Sequence, residues 1–457
     1  MLSPDNAGRI HDAAVALLEN PGIKIEHDAI AKLLLKHGAT AGNDADVVRL
    51  PRQMIEECVA QCPSEIALTD RRSGEAAMTS TSAPLFWSCP GMNLHEGGVH
   101  RRFTRDDMAR VARLLDKLEH VHGVFGLAMS DVPAKACDVV GLRVMAANTS
   151  KHIRVLCFSP QGADMLKQIK PIATGAWFSI GFTAHGPLRW TNLALDIFAR
   201  TAGAGIPVSI NGEPMAGATG PVTLAGAAAV GNAEILAGIV INQLLEPGRP
   251  CTYNLGLAHT FDMRAAIAVT GGPENHILAD ISAAMGRYYN LPSSSWVSTE
   301  SLLPDAQAAM EKSAGFVWHM QSQVSNIWGV GQLESELTFS PAQAVIDNEM
   351  IAYVNRLLRP VDVTDDTLAL DVTREAGIGG QFLDLDHTVM RYRDELFSPA
   401  LLFRGTRETW TSRGALSLTA RAEQRAAELI DQPVDCALDD NQLRELDDAA
   451  DAIIKNV

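Results

Sequence analysis

The sequence predicts an α/β protein, a (β/α)8 (TIM) barrel with helical N-terminal and C-terminal extensions. Three observations predict it. Eight apolar runs of strand length recur between residues 84 and 333. Segments long enough for a helix separate most of them. Proline follows several runs where a helix would open, a position at which the missing N–H has no intrahelical acceptor to lose.

Taken in order, residues 1–82 read as a helical extension. Ser3-Pro4 supplies a cap followed by proline at the first helical position, and a second helix runs from near Pro51 to Cys62-Pro63. The barrel domain spans 83–360. Its runs are PLFWSC (84–89), GVFGLAMS (123–130), HIRVLCFS (152–159) and WFSIGFTAH (177–185). They continue with IPVSING (206–212), CTYNLGLA (251–258), SSSWVST (293–299) and NIWGVGQL (326–333). Pro133, Pro160 and Pro187 recur every 27 residues as helix openers, and Pro221, Pro304 and Pro341 play the same part later. An open doubly wound sheet would carry a G-x-G-x-x-G loop after an early strand, and none is present. Residues 361–457 turn acidic and mostly helical, with amphipathic helices at 415–430 and 439–455. The acidic face of the latter (Asp439, Asp440, Glu445, Asp447, Asp448, Asp451) reads as a solvated face, with a partner surface as the alternative.

Composition narrows the function. With 47% apolar and 20% charged residues the chain has material for a large core. A net charge of −16 argues against nucleic-acid and anionic-membrane partners, which reward clustered Lys and Arg. Seven cysteines without a spaced framework suit a reducing compartment, and the N-terminus has no secretory pattern. The stretch Pro221–Leu245 is long enough for a membrane span but carries Asn232, Glu234, Asn242 and Gln243. It reads as the buried core helix of a cytoplasmic protein. Soluble barrel enzymes often pair, so a homo-oligomer is an open expectation.

In such barrels the active site lies at the C-terminal strand ends. That rule selects Trp87, Ser88, Ser130, Asp131, Ser159, His185, Glu213, Tyr253, Asn254, His259, Thr299, Glu300, Gln332 and Glu334, with Trp177, Trp190, Trp296 and Trp328 close by. No H-E-x-x-H, P-loop or G-x-S-x-G is present. Cys58 and Cys62 share a helix face, but no nearby His or Cys completes a zinc set, so no metal site is expected.

The segment GEPMAGATGPVTLAGAAAVGNAEILAG (212–238) resembles the trimethylamine methyltransferase family, in its branch without pyrrolysine. Collinear matches follow in PGRPCTYNLG from Pro247, DMRAAIAVTGGPE (262–274), GRYYNLPS (286–293) and PDAQAAMEK (304–312). GQLES (331–335), SPAQAVIDNEMI (340–351) and DDTLALDVTREAGIGGQFLDLDHT (365–388) complete the set, and the resemblance runs from about residue 5 to 405. It implies a barrel enzyme that moves a methyl group from a methylated amine to the Co(I) of a corrinoid protein. The corresponding loop here, STESLLPDAQ (298–307), holds ordinary residues, with Leu302 matching the pyrrolysine position. Members without pyrrolysine resemble enzymes for quaternary amines such as glycine betaine, proline betaine or carnitine.

The chemistry agrees with that distinction. A quaternary amine already has a neutral leaving group, so demethylation needs no general acid or metal. It needs recognition of a cation without hydrogen-bond donors, which aromatic faces provide at about 0.5–2 kcal/mol each. It also needs in-line access for a soft nucleophile. The expected cage walls are Trp87, Trp177, Tyr253 and Trp296, with Glu213 neutralising the ammonium. His185, His259 or Arg264 would meet a carboxylate, and Glu300 and Glu334 are further charge partners. Gly329 and Gly331 would let backbone approach the corrinoid. Cob(I)alamin would arrive on a separate carrier protein, because the chain lacks a D-x-H-x-x-G signature. The leading expectation is therefore glycine betaine demethylation to dimethylglycine. Rival readings are another quaternary amine, a pterin acceptor, or a barrel that binds betaine without turnover.

Overall fold

The computed structural model describes residues 2–434 and 436–455. Eight parallel strands close into a barrel: β1 (Leu85–Ser88), β2 (Gly123–Phe125), β3 (His152–Arg154), β4 (Phe178–Thr183), β5 (Val208–Asn211), β6 (Cys251–Gly256), β7 (Ser293–Trp296) and β8 (Asn326–Val330). Each pairs with the next in chain order, and β8 closes on β1 through Ile327 opposite Phe86 and Trp328 opposite Trp87. All eight fall inside the predicted runs, because a strand buried on both faces leaves a short apolar segment that turns bound.

Helix entry is less uniform than the proline pattern suggests. Pro160 and Pro341 do open helices, at Pro160–Ile169 and Pro341–Leu358. Pro133 instead precedes a short 3-10 turn, and Pro187 lies in a rim loop before the helix Asn192–Thr201. Pro221 and Pro304 also stand ahead of their helices, which begin at Leu224 and Ala306. The stretch long enough for a membrane span is the helix following β5, Leu224–Leu245. Every residue from Ala227 to Gln243 is buried, because the barrel covers one side and the helices Pro4–Glu19 and Arg52–Gln61 cover the other. This burial explains why the helix is apolar all round.

The N-terminal region is more than helical. Glu65–Asp70 and Gly74–Thr79 form an antiparallel hairpin at the N-terminal end of the barrel. Its Ile66, Leu68 and Met78 join Trp87, Phe125, Leu257, Trp296 and Trp328 in a cluster that fills the barrel axis. The sequence around the DRRSG turn gives little sign of this hairpin, because Glu75, Ala76 and Ala77 are exposed and weak in strand preference. At the C-terminal side, Leu418–Ile430 packs on Pro341–Leu358 and Arg105–Lys117, while Asp440–Lys455 packs on Cys137–Asn148 and Pro160–Ile169. Asp447 of that last helix is held by Arg143 at 2.6 and 2.9 Å, so part of its acidic face is a tie to the barrel. Residues 361–397 leave Val361, Ile378, Leu383, Val389, Met390 and Leu396 exposed.

The end of β8 is fixed by a buried ion pair. Lys312 Nζ contacts Asp347 Oδ2 at 2.6 Å and donates to the carbonyls of Gly329 (2.8 Å) and Gln332 (3.1 Å). Asp347 also accepts from the Gly331 amide at 2.7 Å and from Gln343 Nε2 at 2.8 Å. Replacing Lys312→Met strands a buried carboxylate and is expected to cost about 3–5 kcal/mol. Urea unfolding with an unchanged m-value and a lower midpoint is the expected outcome; an unshifted midpoint contradicts it.

Candidate active site

Side chains alternate along barrel strands, so residues two apart share the interior. On β3 this turns His152 and Arg154 inward, and on β4 Ser179, Gly181 and Thr183. On β5, Ser209 and Asn211 face the axis, and the same period aims Glu213 into the mouth just beyond the strand. The interior polar groups link up. His152 stacks on Trp87 with centroids 5.2 Å apart and contacts Ser179 Oγ at 2.8 Å. Asn211 bonds Thr183, Ser209 and Asn254 at 2.7–3.0 Å.

Above these layers lies a cavity of about 460 Å3 at the C-terminal mouth. Phe125 and Trp328, stacked at 5.3 Å, and Leu257 form its apolar side; Arg154, Glu213 and Glu336 bring charge; His185 stands at the rim. Two small sheets raise the rim. One joins Asn93–Glu96 and Val99–Arg102 to Gln332–Leu333 and Thr338–Phe339, and the other joins Met215–Ala216, His259–Asp262 and Ile267–Val269.

Burial dominates the electrostatics. It pushes Glu213 up to about 7. Burial, reinforced by the charge of Glu213, pushes Glu336 up to about 8. Glu336 sits at the tip of the 332–339 hairpin, in a run of three non-glycine residues with positive φ: Glu334 (55°), Ser335 (48°) and Glu336 (78°). Such strain persists only where surroundings enforce it. Here the Glu334 and Ser335 amides donate to Ser301 and Thr299 carbonyls at 2.9 Å, and the Leu337 carbonyl accepts from Met92 and Asn93. Glu300 adds the side-chain tie, accepting from the Thr270 and Gly271 amides at 2.6 and 2.9 Å and from the Ser335 hydroxyl.

The residues selected from sequence separate accordingly. Glu213 and His185 line the cavity. Trp87 and Trp296 face the barrel axis beneath it, and their buried indole N–H groups have no partner among the described residues. Trp177 is no cage wall: it precedes β4 at the opposite end, donating to the Lys170 carbonyl with Arg71 over its ring. Tyr253 has the wrong strand parity and points outward, donating to Asn232 Oδ1 at 2.9 Å. His259 is buried 6.3 Å from Trp296 with Nδ1 on the Leu257 carbonyl, and burial lowers its basicity. Arg264 lies in the turn of the small 259–269 sheet, outside the cavity lining. Glu334 contacts His100 at 3.3 Å and accepts from Thr338 at 2.5 Å. Leu302 is exposed and does not line the cavity. Gly329 and Gly331 are buried in the barrel wall, with φ of 117° and 85°. A Cβ would lie 2.1 Å from the Val297 carbonyl at the first and 2.4 Å from the Phe339 ring at the second. Close packing around the β8 bulge therefore explains both glycines.

Arg154 and Glu336 escaped the sequence reading. For Arg154 a signal existed: a cation at an inward position of a barrel strand is rare unless paired. For Glu336 none did, because only the backbone run sets its direction. Among the described residues no three His, Cys, Asp or Glu side chains are grouped to hold a metal ion.

A closed barrel with an apolar, charge-bearing mouth at its C-terminal end defines a small-molecule enzyme of the TIM-barrel type. The sequence profile of trimethylamine methyltransferase (MTTB) matches residues 1–453, and the chain belongs to that methyltransferase family. It is 30% identical over 446 residues to trimethylamine methyltransferase MttB of Desulfitobacterium hafniense (strain DSM 10664 / DCB-2), covering 92% of this chain and 87% of that one. It is 27% identical over 467 residues to a glycine betaine methyltransferase of Desulfitobacterium hafniense (strain Y51), covering 96% and 94%. The crystal structure of Methanosarcina barkeri monomethylamine methyltransferase (MtmB) shares the fold, with a TM-score of 0.54 at 12% identity, covering 93% and 86%.

If Glu300 is a tie, Glu300→Ala leaves the Thr270 and Gly271 amides without their acceptor. The expected cost is about 1–3 kcal/mol in chemical denaturation. Unchanged stability would refute the structural role.

Proposed function

We propose that this protein demethylates a quaternary amine, with glycine betaine as the leading substrate and dimethylglycine as its product. The acceptor is cob(I)alamin on a separate corrinoid carrier protein. The observation that carries the reading is Glu213, a half-buried carboxylate without a cationic partner among the described residues, facing a cavity beside Phe125 and Trp328. A fixed ammonium donates no hydrogen bond, so a carboxylate and aromatic faces are the groups that recognise it. Glu336 lines the same cavity with a second carboxyl, whose charged form a bound ammonium favours.

Transfer is a displacement at the methyl carbon. The C–N bond breaks with its electron pair staying on nitrogen, and the electron pair of Co(I) forms the new bond to carbon. No proton moves, so the protein's part is to hold the ammonium, exclude water and keep one methyl open to the acceptor. The family supports corrinoid-linked methyl transfer, and the relative acting on glycine betaine supports a quaternary substrate. The ordinary residues of the 298–307 loop favour the branch without pyrrolysine. A cytoplasmic location fits the free cysteines and the acidic surface. The exposed apolar residues of 361–397 favour self-association.

The direct test supplies purified protein with carrier-bound or free cob(I)alamin and each candidate amine, following methylcobalamin by absorbance. Turnover with glycine betaine and not with trimethylamine is expected; turnover with trimethylamine alone refutes the reading. Glu213→Gln should weaken quaternary-ammonium binding at least about tenfold, or about 1.4 kcal/mol. Because the Glu213 carboxyl is raised to about 7, it is protonated in acid and charged in base. Affinity is therefore expected to rise with pH through 7, with protons released on binding below that pH. Calorimetry in buffers of different ionisation enthalpy reads this release, and pH-independent affinity between 6 and 8 contradicts it.

A further inference from the structure

Arg154 is the feature of the cavity that charge neutralisation of an ammonium does not use. It is 5% exposed and crosses over Gly181, where a Cβ would come within 1.7 Å of its Nη2. Its guanidinium lies 5.3 Å from the Phe125 ring centroid. The one side-chain hydrogen bond it makes among the described residues runs from Nη1 to the neighbouring Val155 carbonyl, at 3.4 Å. No carboxylate of the described residues lies within ion-pairing distance. The remaining N–H groups are not sealed in protein, and they open on the cavity.

Arg249 shows what a buried structural arginine looks like in the same molecule. It donates to the Ile206 carbonyl at 2.9 Å and to Thr201 Oγ1 at 3.2 Å, and it faces Glu246 at 3.4 Å. A guanidinium has five donors in a fixed fork that matches a carboxylate. Burying that fork beside a cavity with nearly all donors unused is costly unless a ligand completes it. Glu213 and Glu336 do not complete it, since neither is within ion-pairing range although both line the same cavity. The mouth thus holds negative and positive charge apart, a layout that complements a zwitterion better than a simple cation.

We infer that Arg154 binds the carboxylate of the substrate, so that the site selects betaines, quaternary amines carrying a carboxylate, over cations such as choline. This inference rests on the proposed function and narrows its substrate class. It replaces His185, His259 and Arg264 as the carboxylate partner.

The test compares glycine betaine, carnitine, choline and tetramethylammonium by calorimetry and thermal shift on the full chain. The wild type should bind glycine betaine or carnitine at least about tenfold more tightly than choline. Arg154→Gln should abolish that preference while leaving choline affinity within about twofold. Arg154→Lys, which keeps the charge but not the fork, should restore part of it. Gly181→Ala, which displaces the guanidinium without removing it, gives a second route to the same loss. Should Arg154→Gln fail to fold, the wild-type comparison and the Gly181→Ala variant still decide. Choline binding as tightly as both carboxylate compounds overturns the inference alone. A preference that survives in both folded variants also overturns it. Absence of binding by all four quaternary ammonium compounds overturns the proposed function itself.

Discussion

Two carboxylates and a guanidinium held apart in the barrel mouth form the constraint on which the other features of the site depend. Left to relax, such groups pair or draw in water. Here the rigid strands prevent collapse. Arg154 is held over Gly181 on the barrel wall, Glu213 follows β5 by strand parity, and Glu336 is carried on a strained hairpin. The hairpin is anchored through Glu300 on one side and through the Lys312–Asp347 pair at its root. Strain at 334–336 is thus sustained by hydrogen bonds that reach three different loops.

That arrangement lowers stability in a pH-dependent way. A free glutamate ionises near 4.5, whereas Glu213 in the folded chain holds its proton until about 7. Between those values the unfolded state has lost a proton that the folded state keeps. Stability therefore falls as pH rises through this window, by about 3 kcal/mol for a shift of this size. Glu336 acts in the same direction. A bound ammonium reverses the sign, since it favours the charged carboxylates. A site that is unfavourable when empty and relieved by its ligand is what strong cation recognition requires, and a large barrel core can carry such a cost.

The barrel was legible in the sequence because strands buried on both faces produce discrete apolar runs. Their C-terminal ends select Glu213 and His185, and both line the cavity. Tyr253 and Trp177 fall outside the cavity for different reasons: the two-residue alternation turns Tyr253 outward, and Trp177 precedes β4 at the opposite end of the barrel. The same parity, applied to HIRVLCFS, turns Arg154 toward the axis. Gly329 and Gly331 looked like openings for a large ligand and are instead places where Val297 and Phe339 leave no room for a Cβ. Glu336 depends on three successive positive φ angles, which no local preference of Glu or Ser announces.

The tryptophans still have a part, at one remove. Trp87, Trp328 and Trp296 lie at matching register on adjacent strands β1, β8 and β7. With the hairpin residues Ile66, Leu68 and Met78 beneath them, they fill the barrel to just below the cavity. This plug sets the depth of the site, so that a ligand rests against Phe125 and Trp328 rather than sinking along the axis. It also removes water from one side of Arg154 and Glu213, which strengthens every charge interaction above it. Recognition of a small, doubly charged molecule then follows from depth and charge placement together: the floor fixes where the ligand stops, and the unpaired charges fix which end lies where.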